Sequence, residues 1–347
     1  MRPRGWAGEN WSPAIGAEAK AAREAVALFD QSSFSKLEVL GAGALELLEQ
    51  LCANKIDRPV GTLVYTQLLN KRGGIEADLS VLRRSEDRFM LVTGTAFGNH
   101  DRAWIEKHAP RDGSVYVNDV TSTYACLCLW GPRARDVLQP LTKTALDFPY
   151  MSARELAVGS VPVVASRVTY VGELGWELYC PTEYGARLWD TLVTAGASHG
   201  LVAGGYRAID ALRLEKGYRA WGSDLNSETT PYEAGLGFAV KRDKGEFIGR
   251  DALDADPAQR LVCLVLDDPR SIALGSEPVR AGDGKTVGRV TSGGYGYAVH
   301  ASIAFAYVPG DYADPGTRLQ VDIFGTWVPA EVRSEPLFDP TGERIRA

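Results

Sequence analysis

The chain has 347 residues, 45% hydrophobic and 24% charged, which fits an ordinary globular protein of two or three domains. Its 38 basic and 44 acidic residues leave a net charge of -6. That argues against a nucleic-acid binder, whose affinity comes from many Lys and Arg contacts to phosphate, and the composition excludes collagen-like, coiled-coil and disordered chains.

No run of about 18 apolar residues occurs, so no membrane span is expected. Met1 to Lys20 lacks the continuous apolar stretch of a secretory leader, and Asn10-Trp11-Ser12 reads as a chance sequon. The cysteines, Cys52, Cys126, Cys128, Cys180 and Cys263, are odd in number and thinly spread, unlike a disulfide framework. The expectation is a reduced, cytoplasmic protein.

Residues 1–20 read as irregular, and a first helix is expected from Glu18 to Leu28. Phe34–Leu40 reads as a strand, Gly43–Ala53 as a helix, and Val64–Leu69 with Ala77–Arg83 as a hairpin turning at Lys71-Arg72-Gly73-Gly74. Arg88–Thr93 continues as a strand and Asn99–His108 as a helix. Tyr124–Trp130 is a strand, and Pro132 opens a helix through Leu138. Val161–Tyr170 and Trp176–Cys180 pair across a Gly-containing turn, and Thr182 caps a helix carrying Leu188, Leu192 and Val193. Gly205–Lys216 is a helix stopped by Gly217. Past a boundary near residue 255, short apolar strands follow at 261–266, 287–291, 303–308, 319–323 and 327–332, the pattern of a small β-barrel or sandwich. Mixed short strands and helices indicate an α+β fold.

The four histidines, His100, His108, His199 and His300, show no zinc spacing. There is no GxSxG elbow or P-loop, and Gly41-Ala42-Gly43 stops one glycine short of a dinucleotide fingerprint. Cys126 and Cys128 share one face of a strand and read as core thiols. Three constellations remain. In the first hairpin, Tyr65 opposite Ser80 and Asn70 opposite Ile75 would make Asp78 the diagonal, same-face neighbour of Tyr65. Asp is depleted from strands because its carboxylate wants water or a partner, so the pair marks either a site or a solvated edge. In Tyr170-Val171-Gly172-Glu173-Leu174-Gly175-Trp176-Glu177, a carboxylate among aromatic rings could hold a flat heterocycle with in-plane N–H donors. Glu173 paired with Glu177 is a weaker alternative, and a plain solvated turn stays open. Arg207, Arg213, Lys216 and Arg219 could hold an anionic tail, or pair along a helix as Asp210 and Arg213 would at i,i+3.

Jointly these strings resemble the tetrahydrofolate-dependent aminomethyltransferase (glycine-cleavage T-protein) family. The resemblance rests on Tyr-Thr-x-Leu-Leu-Asn with Gly-Gly-Ile-x-x-Asp-Leu, then Tyr-Val-Gly-Glu-Leu-Gly-Trp-Glu-Leu, then Leu-Arg-Leu-Glu-Lys-Gly-Tyr-Arg-x-Trp-Gly-x-Asp-Leu, with Thr229-Thr230-Pro231-Tyr232-Glu233-Ala234-Gly235 and Val290-Thr291-Ser292-Gly293-Gly294. In flavour it is most similar to the folate-binding C-terminal half of dimethylglycine and sarcosine dehydrogenases. The resemblance implies a three-domain ring, two α+β (ferredoxin-like) domains and a C-terminal β-barrel around a central folate channel. Residues 1–255 would form the folate-binding α+β region, as two interleaved subdomains, and 256–347 the barrel.

It further implies Asp78 as the catalytic carboxylate and Tyr65, Tyr170 and Glu177 as tetrahydrofolate-binding residues. The T-protein carries two adjacent Asp where this chain has Ala77-Asp78, and the family's pterin-side Arg falls on Ile209, so Arg207, two residues earlier, is carried as the cofactor-binding cation. The implied activity is transfer of a methyl group from a small methylated donor, an N-methyl amine, to tetrahydrofolate. The alternatives are capture of an iminium or formaldehyde unit from a separate flavoprotein oxidase, giving 5,10-methylene-tetrahydrofolate, and a non-catalytic folate-binding regulatory module. A flavin-binding half has no counterpart in the sequence, and no metal, nucleic acid or membrane is expected.

Overall fold

The computed structural model describes residues 13–347; the sequon at Asn10, with Trp6 and Trp11, lies outside them. Its first element is a helix, Pro13–Glu24, earlier than expected, and Val26–Asp30 is a strand. The expected helix to Leu28 failed because Val26-Ala27-Leu28-Phe29 is buried on every side, and a short continuous apolar run carries neither helical nor alternating period.

That strand lies inside a six-stranded sheet ordered Leu201–Gly204, Val26–Asp30, Tyr124–Trp130, Gly175–Pro181, Val161–Arg167, Ser152–Val158. Between its first two visits to this sheet the chain builds a five-stranded antiparallel one: Leu63–Leu69, Ile75–Ser85, Arg88–Thr93, Ser35–Leu40, Tyr116–Asp119. The sequence reading missed Ser152–Val158 and ran the next strand to Tyr170, whereas it ends at Arg167. Thr182 does not cap the helix Gly185–Gly196; its hydroxyl donates to the Ser122 carbonyl (2.6 Å).

In the hairpin, Tyr65 pairs with Ser80 as expected, but Leu69, not Asn70, stands opposite Ile75. Asn70 is drawn into the turn instead. Its backbone N–H donates to Gly74 O, and its Oδ1 accepts from the N–H groups of Arg72 and Gly74. Position 74 must be glycine, since a Cβ there would lie 2.0 Å from Ser227 O.

The outer face of each sheet is apolar and covered by helices. Leu127, Leu129, Trp176 and Leu178 pack on Leu188 and Leu192, and Leu37, Val64, Leu68 and Leu91 pack on Leu47, Leu48 and Leu51 of Ala44–Leu51. The inner faces turn toward one another. Leu63, Leu82 and Met90 meet Cys126, Cys128, Val164 and Tyr179 in one cluster, and Leu63 N–H donates to Met151 O across the seam.

The third unit is a closed barrel of Gln259–Leu266, Ala301–Pro309, Thr286–Gly296, Pro278–Arg280, Arg318–Ile323 and Thr326–Arg333. The short Pro278–Arg280 strand escaped the sequence reading. Buried Asp224 fastens the barrel to the helix Tyr206–Glu215, accepting from Arg213 (2.6 Å), Thr291 (2.6 Å) and Ser292 (2.6 Å). Two α+β sheets and a barrel are the expected architecture.

Candidate functional site

Alternation decides which side chains reach the space between the sheets. Along Ile75–Ser85, Glu76, Asp78 and Ser80 are half-buried while Ile75, Ala77 and Leu79 are buried in the outer core. Gln67 stands opposite Asp78 and donates to its Oδ1 through Nε2 (2.9 Å), and the Tyr65 hydroxyl is hydrogen-bonded to the same carboxylate. Burial pushes the Asp78 carboxyl up to about 6, against the pull of those two donors, and the nearby Asp101 adds to the rise. Burial likewise raises the Tyr65 phenol well above its usual range, so it stays a neutral donor.

Glu177 lies on the inner face of the other sheet, between Cys128 and Ser166 in register. Its strand can lie this close to Tyr124–Trp130 because residue 175 is glycine, with φ of 154° and a would-be Cβ 2.0 Å from Leu129 O. The Tyr179 hydroxyl donates to Glu177 Oε2 (2.5 Å). Burial raises the Glu177 carboxyl, opposed by that hydroxyl and by the charge of Lys36. Lys36 is itself fully buried, its ammonium donating to the carbonyls of Ser32 (3.0 Å) and Phe34 (2.7 Å).

Tyr170 is not on a strand shoulder. It lies in the connection after Arg167, its hydroxyl donating to Arg219 O (2.6 Å) and its ring stacked on Tyr218 at 5.9 Å. Tyr218 is hydrogen-bonded to Tyr150, which feels the charge of Glu177, while Tyr170 feels that of Asp78. The charge of Asp78 is thus felt at both Tyr65 and Tyr170, and that of Glu177 at Tyr150. Arg207 is exposed on the first turn of Tyr206–Glu215, has no hydrogen bond or ion pair among the described residues, and its charge is felt at Asp210.

The other members of the basic stretch are consumed by structure. Arg213 pairs with Asp224, Lys216 with Asp339 (2.8 Å) and Arg219 with Glu335. Glu173 is no partner for Glu177 in catalysis, because Arg23 (2.9 Å) and Arg344 (2.8 Å) hold it in a buried network with Glu215. Cys126 and Cys128 are buried with their sulfurs 3.9 Å apart, Cys128 donating to Gln31 Oε1 (3.0 Å), and burial holds the Cys128 thiol protonated.

Sequence reasoning missed Gln67, Tyr150 and Tyr179. Two of these had a signal, since each stands two residues from a predicted site residue, Tyr65 or Glu177, on the same strand face. Among the described residues, Gln67 Oε1, Ser166 Oγ and Gln31 Nε2 are buried without a hydrogen-bond partner, the first on the side chain that grips Asp78, the second opposite Glu177 in register, and the third on the side chain bonded to Cys128, the other register neighbour of Glu177. Buried polar groups are normally satisfied, so a site with spare acceptors and donors around a carboxylate fits a flat heterocycle carrying both.

Residues 1–244 match the GCVT N-terminal domain and residues 259–339 the glycine cleavage T-protein C-terminal barrel domain. The chain therefore belongs to the glycine-cleavage T-protein family, a family of aminomethyltransferase-type transferases. It is 38% identical over 329 residues to an aminomethyltransferase of Saccharopolyspora erythraea, covering 93% of this chain and 89% of that protein. It is 39% identical over 348 residues to the mitochondrial dimethylglycine dehydrogenase of Rattus norvegicus, covering 97% of this chain but spanning only 40% of that relative. Among solved structures, the glycine cleavage system aminomethyltransferase T of Bartonella henselae superposes with a TM-score of 0.86 at 29% identity, over 94% of this chain and 90% of that one. No helix of the described residues is long and apolar enough to cross a membrane.

Proposed function

We propose that this chain transfers a one-carbon unit, a methyl group, from a small methylated donor, an N-methyl amine, to tetrahydrofolate. The observation that carries the reading is Asp78, gripped by Gln67 and Tyr65 on one sheet and within electrostatic reach of Tyr170, with a second buried carboxylate, Glu177, on the facing sheet. When bound, tetrahydrofolate supplies the nucleophilic nitrogens that accept the one-carbon unit. Glu177 accepts paired N–H donors of the pterin, and the partnerless Ser166 and Gln31 groups beside it satisfy further edge atoms. Tyr170, pinned at its hydroxyl, offers a ring wall. Asp78, ionised near neutral pH, orients the acceptor N–H and stabilises positive charge on the donor, so the rate gain comes from placement and electrostatics. Arg207, exposed on the first turn of its helix, is the cation for an anionic tail.

The test incubates the isolated chain with tetrahydrofolate and a panel of N-methyl amines, and separates the folate products. Formation of 5-methyl-tetrahydrofolate supports the reading; tight folate binding with no product from any donor sinks direct transfer. A second reading, capture of an iminium or formaldehyde unit from a separate flavoprotein oxidase, is favoured by one observation. The chain spans only 40% of a dehydrogenase relative, leaving room there for an oxidising part. Product that appears only when such an oxidase and its amine are added, as 5,10-methylene-tetrahydrofolate, decides for capture. Folate binding that persists with no transfer under either condition decides for a regulatory folate-binding module.

A further inference from the structure

A cluster beside Asp78 has no role in the reading above. Glu76 precedes Asp78 by two residues and is half-buried like it. His100, in the first turn of the helix Gly98–His108, stands between Glu76 and Asp101. Its Nε2 lies 3.4 Å from Glu76 Oε2, and its Nδ1 lies 3.0 Å from Asp101 Oδ1. The remaining carboxylate oxygens are engaged by neutral donors. Asn70 Nδ2 donates to Glu76 Oε1 (3.0 Å), and Thr93 Oγ1 donates to Asp101 Oδ2 (2.6 Å).

Asp101 is 1% exposed, and its charge is felt at Asp78. The groups packed around the cluster are Thr93, Asn70, Asp78 and the ring of Trp221, 6.0 Å from the imidazole. Arg102, next along the helix, is taken by Glu106 (2.7 Å). Among the described residues, His100 is thus the one basic side chain paired with either carboxylate. Both its ring nitrogens face carboxylate oxygens, and only the imidazolium can donate to both.

We propose that His100 is a positioning residue for Asp78, bridging Glu76 and Asp101 and so setting the net charge that the Asp78 carboxylate faces. With the imidazolium in place the bridged trio carries one negative charge instead of two, which favours ionised Asp78. Without it Asp78 keeps its proton to higher pH. The acid limb of any activity that needs ionised Asp78 then depends on a side chain that touches neither donor nor acceptor.

The experiment labels the full chain with 13Cγ-aspartate and identifies the Asp78 signal by its loss in Asp78→Asn. The signal is then titrated from about pH 4.5 to about 8.5, spanning carboxylate and imidazole ionisation. His100→Gln should raise the Asp78 midpoint by roughly half a unit or more, about a threefold change in proton affinity, and Asp101→Asn added to it should bring the midpoint back down. An unchanged midpoint in a folded His100→Gln protein overturns the proposal, and so does a rise that Asp101→Asn leaves in place. Should that variant not fold, Asp101→Asn alone should lower the Asp78 midpoint, and an unchanged midpoint there overturns the coupling. The proposal rests on Asp78 being the reacting-side carboxylate, but the titration needs no folate. Failure of the protein to bind tetrahydrofolate would therefore sink the functional reading and still leave the His100–Asp78 coupling measured.

Discussion

The charge on Asp78 is bought at the expense of stability, and that expense is measurable. Burial lifts its carboxyl from 3.8 to about 6, so the folded chain holds this proton more tightly than the unfolded chain does. Between roughly pH 4 and pH 6 stability must therefore fall as pH rises, the reverse of an ion-paired carboxylate. At 1.36 kcal/mol per unit, a rise of about two units makes ionised Asp78 cost up to roughly 3 kcal/mol at neutral pH. Asp78→Asn keeps the shape and removes the charge. It should be more stable than wild type by up to roughly 3 kcal/mol at pH 8. Near pH 4 the wild-type group is neutral as well, and the difference should vanish or reverse by about 1 kcal/mol as the amide adapts to Gln67 and Tyr65. Denaturant unfolding of both proteins at a series of pH values reads this directly, provided the m-values match. The same variant should lose one-carbon transfer. A stability difference that does not vary with pH refutes the reasoning, because it would mean that the Asp78 carboxylate is as comfortable folded as unfolded.

Glu177→Gln should weaken tetrahydrofolate binding roughly tenfold to a hundredfold, the worth of a hydrogen-bonded charge, followed by tryptophan fluorescence; wild-type affinity would remove Glu177 from the pterin site. Arg207→Ala should shift unfolding free energy by less than about 0.5 kcal/mol, since the side chain is exposed and, among the described residues, unpaired. It should also weaken binding of polyglutamylated folate in a salt-dependent way, and insensitivity to salt would count against a tail contact. Arg23→Ala leaves Glu215 buried without its cation and Glu173 with Arg344 alone, and should cost about 3–5 kcal/mol in thermal or denaturant unfolding; a loss under about 1 kcal/mol would mean that Glu215 simply takes up a proton.

What could be read in the sequence was what local chemistry dictates. The turn at Lys71–Gly74 and the helix around Leu47 and Leu48 each follow from neighbours in the chain, and so Tyr65, Asp78 and Glu177 could be placed on strands in advance, although Asn70 belongs to the turn and not to the strand. Tyr170 is expected on a strand and lies in a connection, because the strand ends at Arg167 and Thr169 folds the chain into a turn with its hydroxyl. In the basic stretch the expected i,i+3 pair of Asp210 and Arg213 is present at 3.8 Å. The acids that neutralise Arg219 and Lys216 are Glu335 and Asp339, more than a hundred residues away, and no spacing rule reaches that far. His100 was dismissed for lacking metal spacing, while its significance comes from Glu76 on another element.

Those distant ion pairs also explain how the site keeps its shape. Asp78 and Glu177 belong to different sheets, whose inner faces meet in the cluster of Leu63, Leu82 and Met90 with Cys126, Cys128, Val164 and Tyr179. Ion pairs at the periphery add a second set of ties. Arg23 ties the first helix to the 169–175 connection and to the helix Tyr206–Glu215, Asp224 ties that helix to the barrel, and the C-terminal segment returns to hold Glu173 through Arg344 and Lys216 through Asp339. Each such pair adds little net stability, because desolvation offsets most of its attraction. Each does, however, make displacement of one unit against another expensive, since a shift leaves a buried charge unpaired. A displacement of about 1 Å between reacting groups can cost about a hundredfold in rate. A substitution in the tail, at Asp339 or Arg344, should therefore slow transfer before it unfolds the protein. Measuring kcat for Asp339→Asn at temperatures well below its unfolding transition separates the two: a normal rate there would mean that the tail serves stability alone.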